Sequence, residues 1–214
     1  MDNIPDTYID LMAIVRERLD TINKIKILGK ESFYLSETVA LHGRKIIEAI
    51  AFSCLLAVDN SLKAIPREAK GQYNAEKIFK TLRNKGINAL QNPSIIRQAS
   101  EEEKNQHNVN IVIEGIPSKC LTYDDLISIY QNLHNWLHEL NPYTKKGHTE
   151  FNNTNRVQLW NDISRLEGMV EHHAMTVRGI GFYCTLRDKD TRDTKMIAIA
   201  FLTKMRYDVT DTHS

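Results

Sequence analysis

At 214 residues, with 42% hydrophobic and 26% charged residues, the chain is long enough to bury a core without disulfides or metal. A net charge of +1 excludes a global basic field, so a nucleic-acid partner would need a local patch. The three cysteines, Cys54, Cys120 and Cys184, are odd in number and widely spaced, which excludes a disulfide framework and fits reduced thiols in a cytoplasmic setting. The first residues show neither the basic nor the apolar region of a leader. The most apolar run, 46–58, is shorter than the roughly 20 residues of a membrane span and is interrupted by Glu48, so no membrane association is expected.

In chain order, Ile9, Met12, Val15, Leu19 and Ile22 recur at helical steps and predict an amphipathic helix over 6–28, with Gly29 as its stop. Residues 32–59 read as a central helix that is apolar on nearly every side beyond Ile46, hence buried among others. Gly43 inside it points to a close crossing or a close ligand. Pro66 and Gly71 mark a loop, and a short helix over 73–84 turns Ile78, Phe79 and Leu82 inward. Residues 85–107 are turn-rich and polar around Asn92-Pro93, and 110–114 alternates weakly, as a short strand does. Thr122 with Asp125 forms a capping-box start for a helix running to about Leu140, before Pro142. A linker over 143–153 leads to a helix from Thr154 to about Ala174, with Val157, Trp160, Ile163, Leu166 and Val170 as its apolar stripe. The β-formers of 177–186 and 195–203 flank the polar turn 187–193 and predict a β-hairpin.

Three polar constellations are candidates for chemistry. Arg44 and Glu48, four residues apart on the central helix, share a face. They read either as a structural ion pair at the core's edge or as a charged site floor that takes phosphate. His134 and His138 sit one turn apart, and Asn141 follows a further turn on. No third ligand has metal-site spacing, so no metal and no cofactor are expected, and His138 and Asn141 read as polar groups at a helix end. Arg165 and His172 lie two turns apart on the predicted helix. There an Arg would hold phosphate and a His would move a proton, or His172 and His173 simply end the helix. The Lys and Arg residues between Lys63 and Lys85 are locally dense and read first as a solvated face.

Three segments together resemble a group of uncharacterised bacterial proteins of similar length: Gly43-Arg-Lys-Ile-Ile-Glu48 onward to Phe52, Leu121-Thr-Tyr-Asp-Asp125 leading into Trp136-Leu-His138-Glu-Leu-Asn141-Pro142, and Leu166 to His173. Arg165 with His172 also resembles the Arg-x4–6-His motif of the HEPN superfamily. That likeness implies a small helical bundle and a metal-independent RNase of toxin and antiphage systems. The expected fold is mainly α: a bundle of about five helices with a C-terminal β-hairpin. Its two segments, a helical 1–150 and a helix plus hairpin over 151–214, pack as one unit. The first functional expectation is a non-catalytic helical adaptor for a protein or nucleic-acid partner in bacterial defence, with a homodimer in keeping with an apolar face. The second is the HEPN-like RNase. In it His172 or His138 serves as acid/base, Arg165 binds the phosphate, and Arg44, Glu48 and Asn141 line the binding site.

Overall fold

The computed structural model describes residues 4–59, 65–69, 71–139, 147–177 and 180–199. Helix α1 (Ile4–Leu28) buries Tyr8, Met12, Val15, Leu19 and Ile22, spaced by alternating steps of four and three. Tyr8 rather than Ile9 takes the first core position. Gly29 follows with φ +62°, a left-handed conformation that ends the helix at little cost for a residue without Cβ.

Helix α2 (Phe33–Asp59) is the central element and touches α1, the helices over 75–84, 123–135 and 148–170, and the sheet. Its apolar sides are therefore all used: Val39, Ile46, Ile47, Ile50 and Cys54 are inaccessible to solvent. At Gly43 the side chains of two neighbouring helices leave little room for a Cβ. A Cβ there would lie 2.6 Å from Ile163 Cδ1 and 3.0 Å from Leu133 Cδ1, so the glycine serves a helix crossing. Helix α3 (Ala75–Asn84) is capped by Asn74, whose Oδ1 accepts the Lys77 N–H at 3.1 Å.

Helix α5 (Tyr123–Asn135) begins at the predicted capping box. Thr122 Oγ1 accepts the Asp125 N–H at 3.1 Å, and Asp125 Oδ2 accepts the Thr122 N–H at 2.9 Å. It ends at Asn135, short of the expected Leu140, with Trp136 folding back to pack against Phe33 and Phe151. Helix α6 (His148–Val170) starts six residues before Thr154, inside the expected linker. Its buried face carries Leu159, Ile163 and Leu166 together with Asn152 and Asp162, whereas Val157 is 71% exposed. The face is rotated from the apolar stripe because polar pairs fill part of it. Ser36 Oγ donates to Asn152 Oδ1 at 2.7 Å, and Asp162 accepts from Asn132 and Gln158.

The largest departure from a bundle is a five-stranded antiparallel sheet of order β2-β1-β3-β4-β5, which makes the fold mixed. Its strands are β1 (Asn92–Gln98), β2 (Ile111–Gly115), β3 (His172–Val177), β4 (Ile180–Thr185) and β5 (Lys195–Ile199). The predicted hairpin is β4–β5, with Thr185 opposite Lys195. It is one edge of a sheet reaching back to β1 in the stretch expected to be turns. There Pro93, opposite His173, lends only its carbonyl, which accepts the Ile116 N–H at 2.7 Å. A short helix, α4 (Glu101–His107), links β1 to β2 through a Ser100–Glu103 capping box. Helix α6 stops at Val170 rather than Ala174 because His172 to Val177 pair along their length with β4. His173, Met175, Phe182 and Cys184 turn toward the helices, and one hydrophobic core runs from Tyr8 to Leu186.

Candidate functional site

The middle of α2 and the end of α5 bring Arg44, Glu48, Tyr130, His134 and His138 into one cluster. Arg44 Nε lies 3.4 Å from Glu48 Oε1, and Lys45 Nζ lies 2.7 Å from Glu48 Oε2. The Arg44 guanidinium stands 4.8 Å from the centre of the Tyr130 ring, a cation–π distance, and the Tyr130 hydroxyl donates to Glu48 Oε1 at 3.5 Å. Arg44 Nη1 is 2.6 Å from His134 Nδ1, and His134 Nε2 is 2.8 Å from His138 Nε2.

The proton order in this chain follows from donor chemistry. A guanidinium only donates, so His134 Nδ1 accepts and its proton sits on Nε2. That Nε2–H donates to His138, whose own proton is then on Nδ1. Both rings are neutral in this arrangement. Burial is the first reason that the His134 pKa lies below its ordinary value; the Arg44 charge and then His138 add to it, and only Glu76 opposes them. Because His134 holds a proton on Nε2, the two Nε2 atoms do not both offer lone pairs to a cation. Among the described residues, no group of three or more His, Cys, Asp or Glu is placed to hold a metal ion.

Arg165 and His172 do not share a helix face. Arg165 stays on α6 and donates to Asp125, the partner of Thr122 in the α5 capping box. His172 opens β3, with Nδ1 3.3 Å from Thr185 Oγ1 and its ring parallel to Tyr183. Burial first, then the charges of Lys119 and Lys189, lower the His172 pKa. A polar groove of about 840 Å³ beside α6 is walled by Arg165, Lys119, Glu167 and Glu171 but not by His172. Asn141 lies outside the described residues, as do Lys63 and Lys70 of the basic stretch. On α3, Lys80 pairs with Glu76 and Arg83 with Asp124, which neutralises part of that face. Cys54 and Cys184 are buried and unreactive, their thiols pushed up to about 12 by desolvation. No helix among the described residues is long and apolar enough to cross a membrane.

One polar network was not legible beforehand. Tyr8 Oη lies 2.6 Å from His173 Nε2, His173 Nδ1 lies 2.8 Å from the Val170 carbonyl, and Gln91 Nε2 reaches Ser53 Oγ at 2.5 Å and Tyr8 Oη at 3.5 Å. The sequence offers one faint signal, a tyrosine at a core position of α1; its partners lie 83 and 165 residues away. No protein-family model matches the chain, and neither a curated protein nor a solved structure matches it.

Proposed function

We propose that the protein is a non-catalytic adaptor whose outer sheet face docks a partner protein. One observation carries this reading. By the strand register Ile96, Ile111 and Ile197 point to the same side of the sheet, away from His173 and the helices, and each is 44–58% exposed. Exposed isoleucines on that side, flanking the buried Ser94, Ala174 and Tyr183, are suited to an apolar protein surface and offer nothing to a phosphate backbone. The polar groups proposed for catalysis are meanwhile engaged within the chain: Arg165 by Asp125, His172 by Thr185, Arg44 by Glu48 and His134. The test is a photo-activated cross-linking residue placed at Ile197, compared with one at Ile27, which is 85% exposed at the end of α1. One defined protein adduct in host cells from position 197 alone is expected. Adducts from both positions, or from neither, would overturn the sheet face as the docking surface.

A second reading, a metal-independent RNase in a defence system, is favoured by the Arg44–His134–His138 chain, which ends in an exposed imidazole. In this reading His138 moves the proton and Arg44 steadies the phosphate. RNA cleavage in EDTA that is lost in His138→Ala and in Arg44→Gln would support it. Equal cleavage by all three proteins, or none, would sink it.

A further inference from the structure

Strand β2 forms one edge of the sheet, and among the described residues no strand lies beyond it. Two bonds fix which of its backbone groups face outward. The Ala99 N–H donates to the Asn110 carbonyl at 3.0 Å, and the Ile116 N–H donates to the Pro93 carbonyl at 2.7 Å. Asn110 and Ile116 therefore turn their backbone toward β1, and by the period of two so do Val112 and Glu114. The N–H and C=O groups of Ile111, Ile113 and Gly115 point the other way, as a row of donors and acceptors along the rim.

Proteins ordinarily guard such an edge with a lysine, a proline or a bulge. Strand β2, Ile111-Val-Ile-Glu-Gly115, has neither lysine nor proline and pairs with β1 residue for residue. Its one charge, Glu114, is turned back to β1, with Oε2 2.5 Å from Arg97 Nε. Ile111 is exposed, and so are Ile95 and Ile96 on opposite faces of β1. A ribbon of two strands with exposed isoleucines on both faces gains stability from a further strand.

The strand is complementary to itself. Antiparallel pairing about a two-fold axis at Ile113 sets Ile113 against its own counterpart, Ile111 against Gly115 and Val112 against Glu114. Every outward backbone group then has a partner, the bulky Ile111 meets a residue without a side chain, and the carboxylate meets no like charge. An axis at Val112 leaves Gly115 unpaired, and an axis at Glu114 sets carboxylate against carboxylate.

We propose that two copies of this chain pair through β2, antiparallel about Ile113, into one sheet that runs through both. The axis uses up β2 on each copy, so the assembly closes at two. The pairing occupies the edge and leaves the outer sheet face open, so it is independent of the adaptor reading and of the Arg44 cluster.

Sedimentation velocity of the full chain is the test. A five-residue edge is a small interface, so a dimer is expected at about 100 μM protein and a monomer at about 1 μM. Ile113→Pro removes the donor on the axis and should be monomeric throughout. That N–H takes no part in the ladder to β1, and proline is tolerated at such a position. Ile113→Lys sets two ammonium groups against each other and should be monomeric too; its half-buried position admits a long side chain, so it speaks even if the proline variant fails to fold. In a Cys120→Ser background, Ile113→Cys should oxidise to a disulfide-linked dimer, because opposite residues of a hydrogen-bonded pair stand about 5.5 Å apart at Cα. Ile197→Cys, on the far edge strand, should not. A monomer at every concentration would overturn the second copy as the occupant and leave the edge to a strand of another protein. A dimer that both variants at 113 leave intact, or one linked through position 197 instead, would overturn β2 as the interface.

Discussion

Tyr8 and His173 stand 165 residues apart in the chain and 2.6 Å apart at Oη and Nε2, which ties the first helix to the central strand of the sheet. Both side chains are fully buried, so the bond has no competition from solvent. In Tyr8→Phe the ring still fills its place, but His173 Nε2 loses its donor and Gln91 one of its acceptors. The variant should lose about 1–3 kcal/mol of stability, the range for a buried polar atom left without a partner. For a chain of this size that is a fall in Tm of a few degrees per kcal/mol. Urea unfolding checks it, and an unchanged midpoint would show that the bond contributes nothing net.

The same histidine predicts a pH dependence. Burial foremost holds the His173 pKa at about 4, below its ordinary 6.5. Between these values the unfolded chain binds a proton that the folded chain refuses, so stability rises with pH across the window. The contribution is complete above about pH 6.5 and is lost as the pH falls toward 4. The loss is about 3 kcal/mol between pH 7 and pH 4. His42, His134 and His172 are shifted in the same direction, so the readout is the difference between wild type and His173→Gln. The variant should show the shallower slope of unfolding free energy against pH from 6.5 to 4.5. Parallel slopes would mean that His173 does not titrate on unfolding.

What was legible in the sequence is what local rules decide. The periodicity of α1 and the Thr122–Asp125 box depend on neighbours a few residues away, and both stand where the sequence put them, with Tyr8 replacing Ile9. The end of α6 was misjudged because pairing across the sheet, His173 opposite Cys184, overrides a pattern that would carry the helix to Ala174. Strand β1 was hidden for the same reason. Asn92-Pro93 is a turn signal taken alone, and only its partners β2 and β3 make it a strand. The site was half visible. Arg44 with Glu48, and His134 with His138, are each four residues apart and readable as pairs. That Arg44 bonds His134 across 90 positions is a fact of helix packing that no local spacing carries.

Gly43 tests how tightly α2 is held by α5 and α6. Alanine there gains about 1 kcal/mol in helix propensity, while overpacking a core costs about 1–3 kcal/mol. The atoms in its way, Ile163 Cδ1 and Leu133 Cδ1, are ends of side chains and can turn aside. Gly43→Ala should therefore stay within about 1 kcal/mol of wild type in urea unfolding. Gly43→Leu has no such escape and should lose at least about 2 kcal/mol. A leucine variant as stable as wild type would mean that the helices can separate at this crossing.

The order of protons from Arg44 through His134 to His138 makes a prediction that does not depend on activity. Burial is the larger reason for the lowered His134 pKa, and the Arg44 charge is the next. In Arg44→Gln the burial stays and the charge goes, so the His134 midpoint in an NMR titration should move up, part of the way to its ordinary value. The glutamine NH2 can still donate to Nδ1, so a shift that disappears in this variant reports the charge and not the hydrogen bond. The wild-type tautomer is open to the same experiment. Nitrogen shifts at neutral pH should show His134 protonated on Nε2 and His138 on Nδ1. An Nδ1–H on His134 would reverse the chain, since Arg44 could no longer donate to it, and would leave His138 Nε2 without the donor that now occupies it. The chain that joins His138 to Arg44 would then be broken, and the RNase reading would lose the observation that favours it.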